Sequence, residues 1–256
     1  MTERSPMRSM PPRVAAVLVA LSLPLPPGGA GQGGPPLTAE QVLARVDEAL
    51  FPASFTMDLA LTDHKPRLGE RTFRIHLEGV RRTGSLLSFG APPTEVGKRY
   101  LFRDRSIWIS IPGLPNVVRV SAKEDFMDSS FTNSDLMDSA YADDYDSRVE
   151  RMSVVEGRSH YLLDCRARTE RITYAAIKMV VDAETFIPRQ FEYFTRSGLR
   201  TKVASFGQPK HLAGRLRPTR FEMRDDTVEG SFSVIVIEKL EEARVSPGAL
   251  TVEALR

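Results

Sequence analysis

The chain has 256 residues, 41% of them hydrophobic, so it is long enough to bury a sizeable core and has the composition of a globular protein. Its 35 Lys and Arg residues against 33 Asp and Glu give a formal net charge of +2, which excludes the strongly basic balance typical of nucleic-acid binding. The single cysteine, Cys165, excludes an intramolecular disulfide, and its apolar surroundings predict a buried thiol.

The N-terminus has the three parts of a secretory signal peptide. Three arginines precede an apolar run from Val14 to Leu25, and small residues follow up to Ala30. The run is short for a membrane span, and prolines follow it at once, although a membrane-anchoring N-terminus stays open as an alternative. We predict a signal peptide over residues 1–30, a linker over 31–36 and one mature domain over 37–256. With no cysteine near the cleavage region, a lipoprotein modified at its own N-terminus is excluded.

The first predicted element of the mature chain is a helix. Thr38 and Gln41 have the spacing of a capping box, and apolar residues then recur with helical spacing up to Leu50. Pro52 ends the run. One face of this helix is apolar, so it must pack against a sheet or another helix.

From Ser54 onward the spacing of apolar residues changes to two, as in half-buried antiparallel strands. Turn residues separate the extended runs, which we predict at 55–61, 73–77, 99–102, 107–111, 117–120, 148–155, 159–166, 174–181, 189–195, 199–206, 218–224 and 231–240. Ten or more strands without α/β alternation predict a mainly β fold. A flat sheet of this width is unusual, so we expect one antiparallel sheet, strongly curved or rolled into an open barrel.

A segment at residues 122–146, here called the lid, interrupts the strands. It is acidic yet rich in large apolar side chains, which is typical of a segment that packs over an apolar surface. Residues 121–150 hold nine acidic and two basic residues, a net charge of −7, and the rest of the mature chain balances it with +7. We predict a short helix at Ser134–Ala140 and a lid held partly by electrostatic attraction.

The candidate ligand-binding residues are apolar side chains of the lid and of nearby strands. We expect Trp108 on or near the concave wall of the sheet; an ordinary core position is the alternative for each member of the set. The candidates are Phe73, Ile75, Trp108, Phe126, Met127, Phe131, Leu136, Met137 and Tyr141.

Motifs of catalysis and metal binding are missing from the sequence. It contains no G-x-S-x-G, H-E-x-x-H, P-loop or G-x-G-x-x-G pattern, and its four histidines lack ligand spacing. The aspartates of the lid do not follow the EF-hand order, so a solvated acidic loop is favoured over a calcium site. We therefore predict no enzyme activity, no metal and no cofactor; a hydrolase would require a serine, a histidine and an aspartate that converge only in space.

Several short motifs occur in an order that points to a known family. G-K-R-Y-L runs from Gly97 to Leu101, W-x-x-x-P from Trp108 to Pro112, and D-S-S-F-T-N-S-D-L from Asp128 to Leu136. Further matching stretches lie at 186–189, 197–202, 217–220 and 249–256. Together they resemble the LolA-like superfamily of bacterial outer-membrane lipoprotein-sorting proteins. One departure is Ser129-Ser130, where the family pattern has Gly-Ser-Asp.

This resemblance implies an incomplete antiparallel half-barrel, with helices and loops over a concave face that holds acyl chains while the carrier crosses the periplasm. It implies no catalysis. The implied partners are the acyl chains of a lipid or lipoprotein, an inner-membrane exporter and an outer-membrane acceptor, and we expect a monomer. The alternative is an accessory protein that docks on an inner-membrane lipid exporter. An open apolar cavity would favour the carrier, whereas a filled interior would favour the accessory protein.

Overall fold

The computed structural model describes residues 37–67, 69–137 and 140–255. The predicted signal peptide and linker lie outside these described residues. Within the described ranges, every helix is too short or too polar to cross a lipid bilayer.

Three α-helices and fifteen strands make up the described chain. The helices are α1 (Ala39–Leu50), α2 (Tyr141–Asp144) and α3 (Val252–Leu255), and single 3₁₀ turns lie at Phe126–Asp128, Asn133–Leu136 and Pro247–Ala249. The strands are β1 (Ser54–Lys65), β2 (Gly69–Val80), β3 (Gly84–Ala91), β4 (Arg99–Arg103), β5 (Ser106–Ser110), β6 (Val118–Val120), β7 (Tyr145–Val155), β8 (Arg158–Ala167), β9 (Ala176–Asp182), β10 (Pro188–Phe194), β11 (Arg200–Gly207), β12 (Lys210–Leu212), β13 (Arg215–Arg217), β14 (Arg220–Asp225) and β15 (Phe232–Glu242).

Thirteen of the strands form one antiparallel sheet, in the order β6-β5-β4-β3-β2-β1-β15-β14-β11-β10-β9-β8-β7. The first and last strands of the chain, β1 and β15, pair at its centre. β6 and β7 are consecutive in sequence but form the two opposite edges, so the sheet is not closed into a barrel. The predicted mainly β, incomplete half-barrel is confirmed.

Helix α1 begins and ends as its sequence predicts. The Thr38 hydroxyl accepts a hydrogen bond from the Gln41 amide, and the Gln41 side chain accepts one from the Thr38 amide, which completes the capping box. The apolar stripe of the helix, with Val42, Leu43 and Val46 fully buried, packs into the same core as the inward side chains of the sheet. The helix therefore lies over the sheet's concave face.

A small hairpin of β12 and β13 holds the C-terminal end of α1, and the sequence did not predict this hairpin. The Arg217 guanidinium, 2% exposed, donates from Nη1 to the carbonyls of Glu48 (2.6 Å) and Ala49 (3.1 Å). Its Nε donates to the Leu212 carbonyl at 3.2 Å. Burial lowers the pKa of Arg217, but the helix carbonyls favour the cation because they carry the negative end of the helix dipole.

The other face of the sheet carries a second, smaller core. Leu101 of β4 packs there with Leu250 and Leu255 of the C-terminal segment, while its neighbours Tyr100 and Phe102 point into the main core. The C-terminal residues thus cover the far side of β4 and β5.

The helix predicted at Ser134–Ala140 is replaced by the 3₁₀ turn at Asn133–Leu136 and by the later helix α2. Thr132, rather than Asn133 or Ser134, begins the turn, and its amide donates to Asp135 Oδ2 at 2.7 Å in a capping box. The turn ends early because the backbone of Met137 is extended (φ −74°, ψ 156°).

A covered cavity as the candidate functional site

A cavity of about 970 Å³ lies between the concave face of the sheet, the end of α1 and the lid. This volume is near the top of the range of about 300–1,000 Å³ that is typical of ligand pockets. The alternation of the long strands places their apolar side chains on this face. The main wall consists of Met57, Leu59, Leu61, Ile75, Leu77, Leu87, Phe102, Ile177, Ala204, Phe206, Met223, Ile235 and Ile237.

The lid packs onto the sheet through buried polar contacts as well as apolar ones. The Ser130 amide donates to Ser233 Oγ at 2.8 Å, and the Ser233 hydroxyl donates in turn to Asp63 Oδ1 at 2.8 Å. All three residues are buried. The lid is therefore joined to the central strands β1 and β15 at the serine pair where the sequence departs from the family pattern.

Acidic residues of the lid pair with basic residues outside it, as its opposite net charge predicted. Lys202 lies 3.4 Å from Asp125, Arg71 lies 3.8 Å from Asp128, Arg82 lies 3.4 Å from Asp143, Arg168 lies 3.3 Å from Asp146, and Arg105 pairs with Asp144. Most of these groups are substantially exposed, so each pair contributes little and is screened by salt. Together they hold both ends of the lid against the body of the protein.

Five of the nine candidate residues line the cavity. Ile75 belongs to the sheet wall; the four from the lid region are Phe131, Leu136, Met137 and Tyr141. Tyr141 packs edge-on against Phe191 at a centroid distance of 5.5 Å. Most of the lid residues that line the cavity thus lie in its second half, between Phe131 and Tyr145.

Three further candidates pack beside the cavity without lining it. Phe126 is fully buried, 5.1 Å from the Tyr100 ring and 6.0 Å from Phe89, which also touches Phe73 edge-on. Met127 accepts a hydrogen bond on its sulfur from the Tyr100 hydroxyl at 3.3 Å. These residues anchor one end of the lid in an aromatic cluster. Burial raises the pKa of Tyr100 to about 12.

Trp108 is a correction, because it does not lie on the concave wall. Its neighbours Ile107 and Ile109 point into the main core, so the alternation of β5 turns the Trp108 ring to the other face. There it packs against the smaller core under the C-terminal segment, with Arg119 6.0 Å from its ring centroid. Trp108 is therefore not a candidate for contact with a ligand in the cavity.

Sequence reasoning missed a polar cluster inside the cavity. Asp135 lines the cavity, and its Oδ2 accepts hydrogen bonds from the Thr132 amide, the Thr132 hydroxyl (2.9 Å) and the Tyr174 hydroxyl (2.9 Å). Burial raises the pKa of Asp135, and the charge of Lys202 and these hydrogen bonds oppose that rise. Tyr145, Tyr174 and Tyr193 line the cavity around it. Only their convergence in the fold identifies them, since they come from three different strand regions.

The mouth of the cavity is more polar than its walls. Arg82, Arg103, Arg105, Arg119, Lys123 and Arg171 line it together with Asp104, Asp143 and Asp144. Among the described residues, no three His, Cys, Asp or Glu side chains lie close enough to hold a metal ion. Burial raises the pKa of the Cys165 thiol to about 12, which makes it a poor nucleophile.

Comparisons with known proteins agree on the fold. A family model described as "uncharacterized protein" matches residues 81–256, whereas no curated protein matches the chain. A LolA superfamily protein from Nitrosomonas europaea covers 86% of this chain and 100% of its own, at 23% identity and a TM-score of 0.79. A DUF1329 family protein from Desulfovibrio piger covers 85% and 97%, at 19% identity and a TM-score of 0.77. A domain named for outer membrane lipoprotein sorting, from Vibrio parahaemolyticus, covers 83% and 96%, at 17% identity and a TM-score of 0.74. The predicted LolA-like fold is confirmed.

Proposed function

Because this chain belongs to the protein family whose model matches residues 81–256, and because it has the LolA-like fold, we propose that it is a periplasmic carrier of lipids or lipoproteins. It binds acyl chains in the covered cavity and moves them toward the outer membrane. It performs no catalysis. The proposal places the protein in the periplasm after cleavage of the N-terminal signal, where an inner-membrane exporter supplies its cargo and an outer-membrane acceptor receives it.

The observation that carries this proposal is the apolar cavity of about 970 Å³ on the concave face, which no side chain fills. A protein with a purely structural half-barrel would fill this space with its own side chains, because interiors are close-packed and voids are costly. An acyl chain needs only dry surface, and each buried methylene contributes about 0.8 kcal/mol. The apolar wall therefore fits an acyl chain without any designed polar contact.

The lid supplies the second requirement of a carrier, which is a reversible closure. Its apolar side chains face the cavity, while its exposed carboxylates pair with basic residues of the body. Exposed ion pairs exchange readily with water and cost little to break. Such a lid keeps acyl chains away from water and can still open at a donor or an acceptor.

The test is to purify the protein natively from an envelope fraction, identify bound lipids by mass spectrometry, and measure lipid uptake in vitro. We expect acyl lipids to co-purify with the protein. Ala204 lies on the cavity wall, so A204F occupies part of the space and should weaken uptake, whereas S205F, one residue along β11 and exposed, should not. Recovery without any acyl ligand, together with no uptake of offered lipid, would refute the carrier function.

The alternative, an accessory protein that docks on an inner-membrane exporter, is favoured by one observation. The edge strand β7 presents Val154 (69% exposed) and Met152 beside a row of unpaired backbone groups. Exposed apolar edge strands are ready to pair with another chain. V154K should abolish exporter binding and leave lipid uptake intact if docking is the main role. Cross-linking in the envelope measures the first, and uptake by the purified protein measures the second.

A further inference from the structure

Asp135 is an unusual residue to find on the wall of an apolar cavity. A carboxylate that faces apolar surface is costly unless hydrogen bonds satisfy it. Here all the hydrogen bonds go to one oxygen: Oδ2 accepts from the Thr132 amide at 2.7 Å, the Thr132 hydroxyl at 2.9 Å and the Tyr174 hydroxyl at 2.9 Å. The side chain is therefore fixed in orientation while half of its accepting capacity stays unused.

The other oxygen, Oδ1, receives no hydrogen bond from any residue in the described ranges. It is also not among the fully buried side-chain atoms that lack a hydrogen bond, so it is accessible from outside the side chain's own packing. Asp135 is partly exposed and lines the cavity, so the cavity is the space from which a donor can reach Oδ1. A rigidly held acceptor is thus within reach of a group in the cavity.

The surroundings of Asp135 limit the groups that can approach it. The Tyr174 and Tyr193 rings lie 4.3 Å apart between centroids, and Tyr141 and Tyr145 complete an aromatic wall. The Tyr174 hydroxyl is already committed to Asp135, and the Tyr145 hydroxyl donates to the Tyr174 carbonyl at 3.3 Å. The Tyr141 and Tyr193 side chains hydrogen-bond to each other. Oδ1 is therefore the carboxylate oxygen of this cluster that accepts no hydrogen bond from the described residues, and it is set among aromatic rings.

We propose that Asp135 accepts a hydrogen bond from an alcohol hydroxyl on the buried, apolar part of the cargo, so that the carrier selects hydroxylated lipids. This inference rests on the proposed carrier function and goes further by naming the cargo class. An anionic group would be repelled by the carboxylate. An ammonium group would lose far more hydration than a hydroxyl on entering an apolar cavity. A hydroxyl supplies the donor that is required and keeps the rest of the cargo apolar.

Two kinds of lipid carry such a hydroxyl, and matched pairs distinguish them. The first pair is stearate and hydroxystearate with a mid-chain hydroxyl; the second is cholestane and cholestanol. Each lipid displaces a fluorescent apolar probe from the purified mature protein, which gives its dissociation constant. We expect the hydroxylated member of at least one pair to bind about tenfold more tightly than its parent, the gain of one hydrogen bond to a charged acceptor. The pair that shows the preference identifies the source.

Two variants test whether Asp135 causes the preference for the hydroxylated lipid. D135N keeps the shape of the side chain and its contacts with Thr132 but removes the charged acceptor, so the preference should fall to about twofold or less while the parent lipid binds as before. D58N makes the same change on the outward face of β1, where Asp58 Oδ1 lies 2.6 Å from His76 Nδ1 and outside the cavity, and should retain the full preference.

The outcomes separate the two proposals. If the wild-type protein binds the members of both pairs equally, the hydroxyl inference is overturned and the carrier function stands. If D135N keeps the wild-type preference, Asp135 is not the acceptor and the inference is likewise overturned. If none of the four lipids displaces the probe, the carrier function itself fails. Because the comparison within the wild-type protein is sufficient to overturn the inference, it does not depend on the folding of a variant.

Discussion

Replacement of Arg217 by alanine is expected to destabilise the protein by about 3 kcal/mol, the cost of removing a buried charged partner. Three carbonyl oxygens, those of Glu48, Ala49 and Leu212, would lose their donor together. Two of them belong to the last turn of α1, where the helix itself offers no amide partner. Each hydrogen bond to a charged group is worth about 1.5–3 kcal/mol, and the desolvation of the guanidinium offsets part of their sum.

Arg215 offers a matched control on the same hairpin. Its guanidinium lies 3.0 Å from Glu48 Oε2, but the two side chains are 55% and 45% exposed. R215A should therefore cost less than about 1 kcal/mol. The two variants remove the same side chain two residues apart and differ mainly in burial.

Urea unfolding measures both variants. R217A should lower the midpoint with an unchanged slope, and its melting temperature should fall by about 6–12 °C for a domain of this size. Lipid affinity should weaken as well, because Leu50 and Phe51 at the held end of α1 line the cavity. If R217A and R215A lose equal, small amounts of stability, the buried arginine does not anchor the helix, and the reasoning is wrong.

Three further outcomes are expected. Raising NaCl from low to about 0.5 M should speed the release of a bound fluorescent lipid severalfold by screening the ion pairs of the lid, whereas sucrose of equal osmolality should not. An unchanged rate would mean that the apolar and buried polar contacts, and not the ion pairs, hold the lid. D182N should lose about 2 kcal/mol at pH 7, because hydrogen bonds from Arg158 and Thr185 outweigh the effect of burial and hold the pKa of Asp182 far below its usual value. A depressed pKa gives stability that is present at neutral pH and is lost as pH falls below about 4. Below that pH, the free energy of unfolding of the wild-type protein should therefore fall more steeply with decreasing pH than that of D182N. Equal slopes would contradict this. G84A should cost more than about 2 kcal/mol, since its Cβ would lie 2.5 Å from the Phe102 carbonyl oxygen at a backbone φ of +152°, while G207A, with open space around it, should unfold at the wild-type midpoint.

Periodicity predicted the elements of this fold well, but it could not assign faces. In β5, Ile107, Trp108 and Ile109 are all large and apolar, so alternation alone shows only that the tryptophan opposes the isoleucines. The face that each side chain takes depends on the C-terminal segment, which supplies Leu250 and Leu255 to the outer side from far along the chain. Trp108 fluorescence would accordingly report on the face opposite the cavity.

The apolar part of the site was visible in the sequence because its residues lie close together in one segment. The polar part was not. Asp135 and Tyr174 are 39 residues apart and belong to elements whose meeting is fixed only by the closure of the lid. The β12–β13 hairpin was not predicted for a different reason. Its strands are three residues long and mostly polar, so they show no alternation of apolar and polar residues.

The position of the lid in the strand order has a mechanical consequence. The chain leaves one edge of the sheet at β6 and re-enters at the opposite edge with β7, and the lid is the connection between them. It is therefore a strap fixed at both edges of the open sheet, with a further attachment through Ser130 to the central strand β15, rather than a flap hinged at one side. Because its length is fixed, it loosens when the two edges approach and tightens when they spread. A partner that binds either edge strand would thus change the space beneath the lid. The curvature of the sheet would then govern how the cargo enters and leaves the cavity.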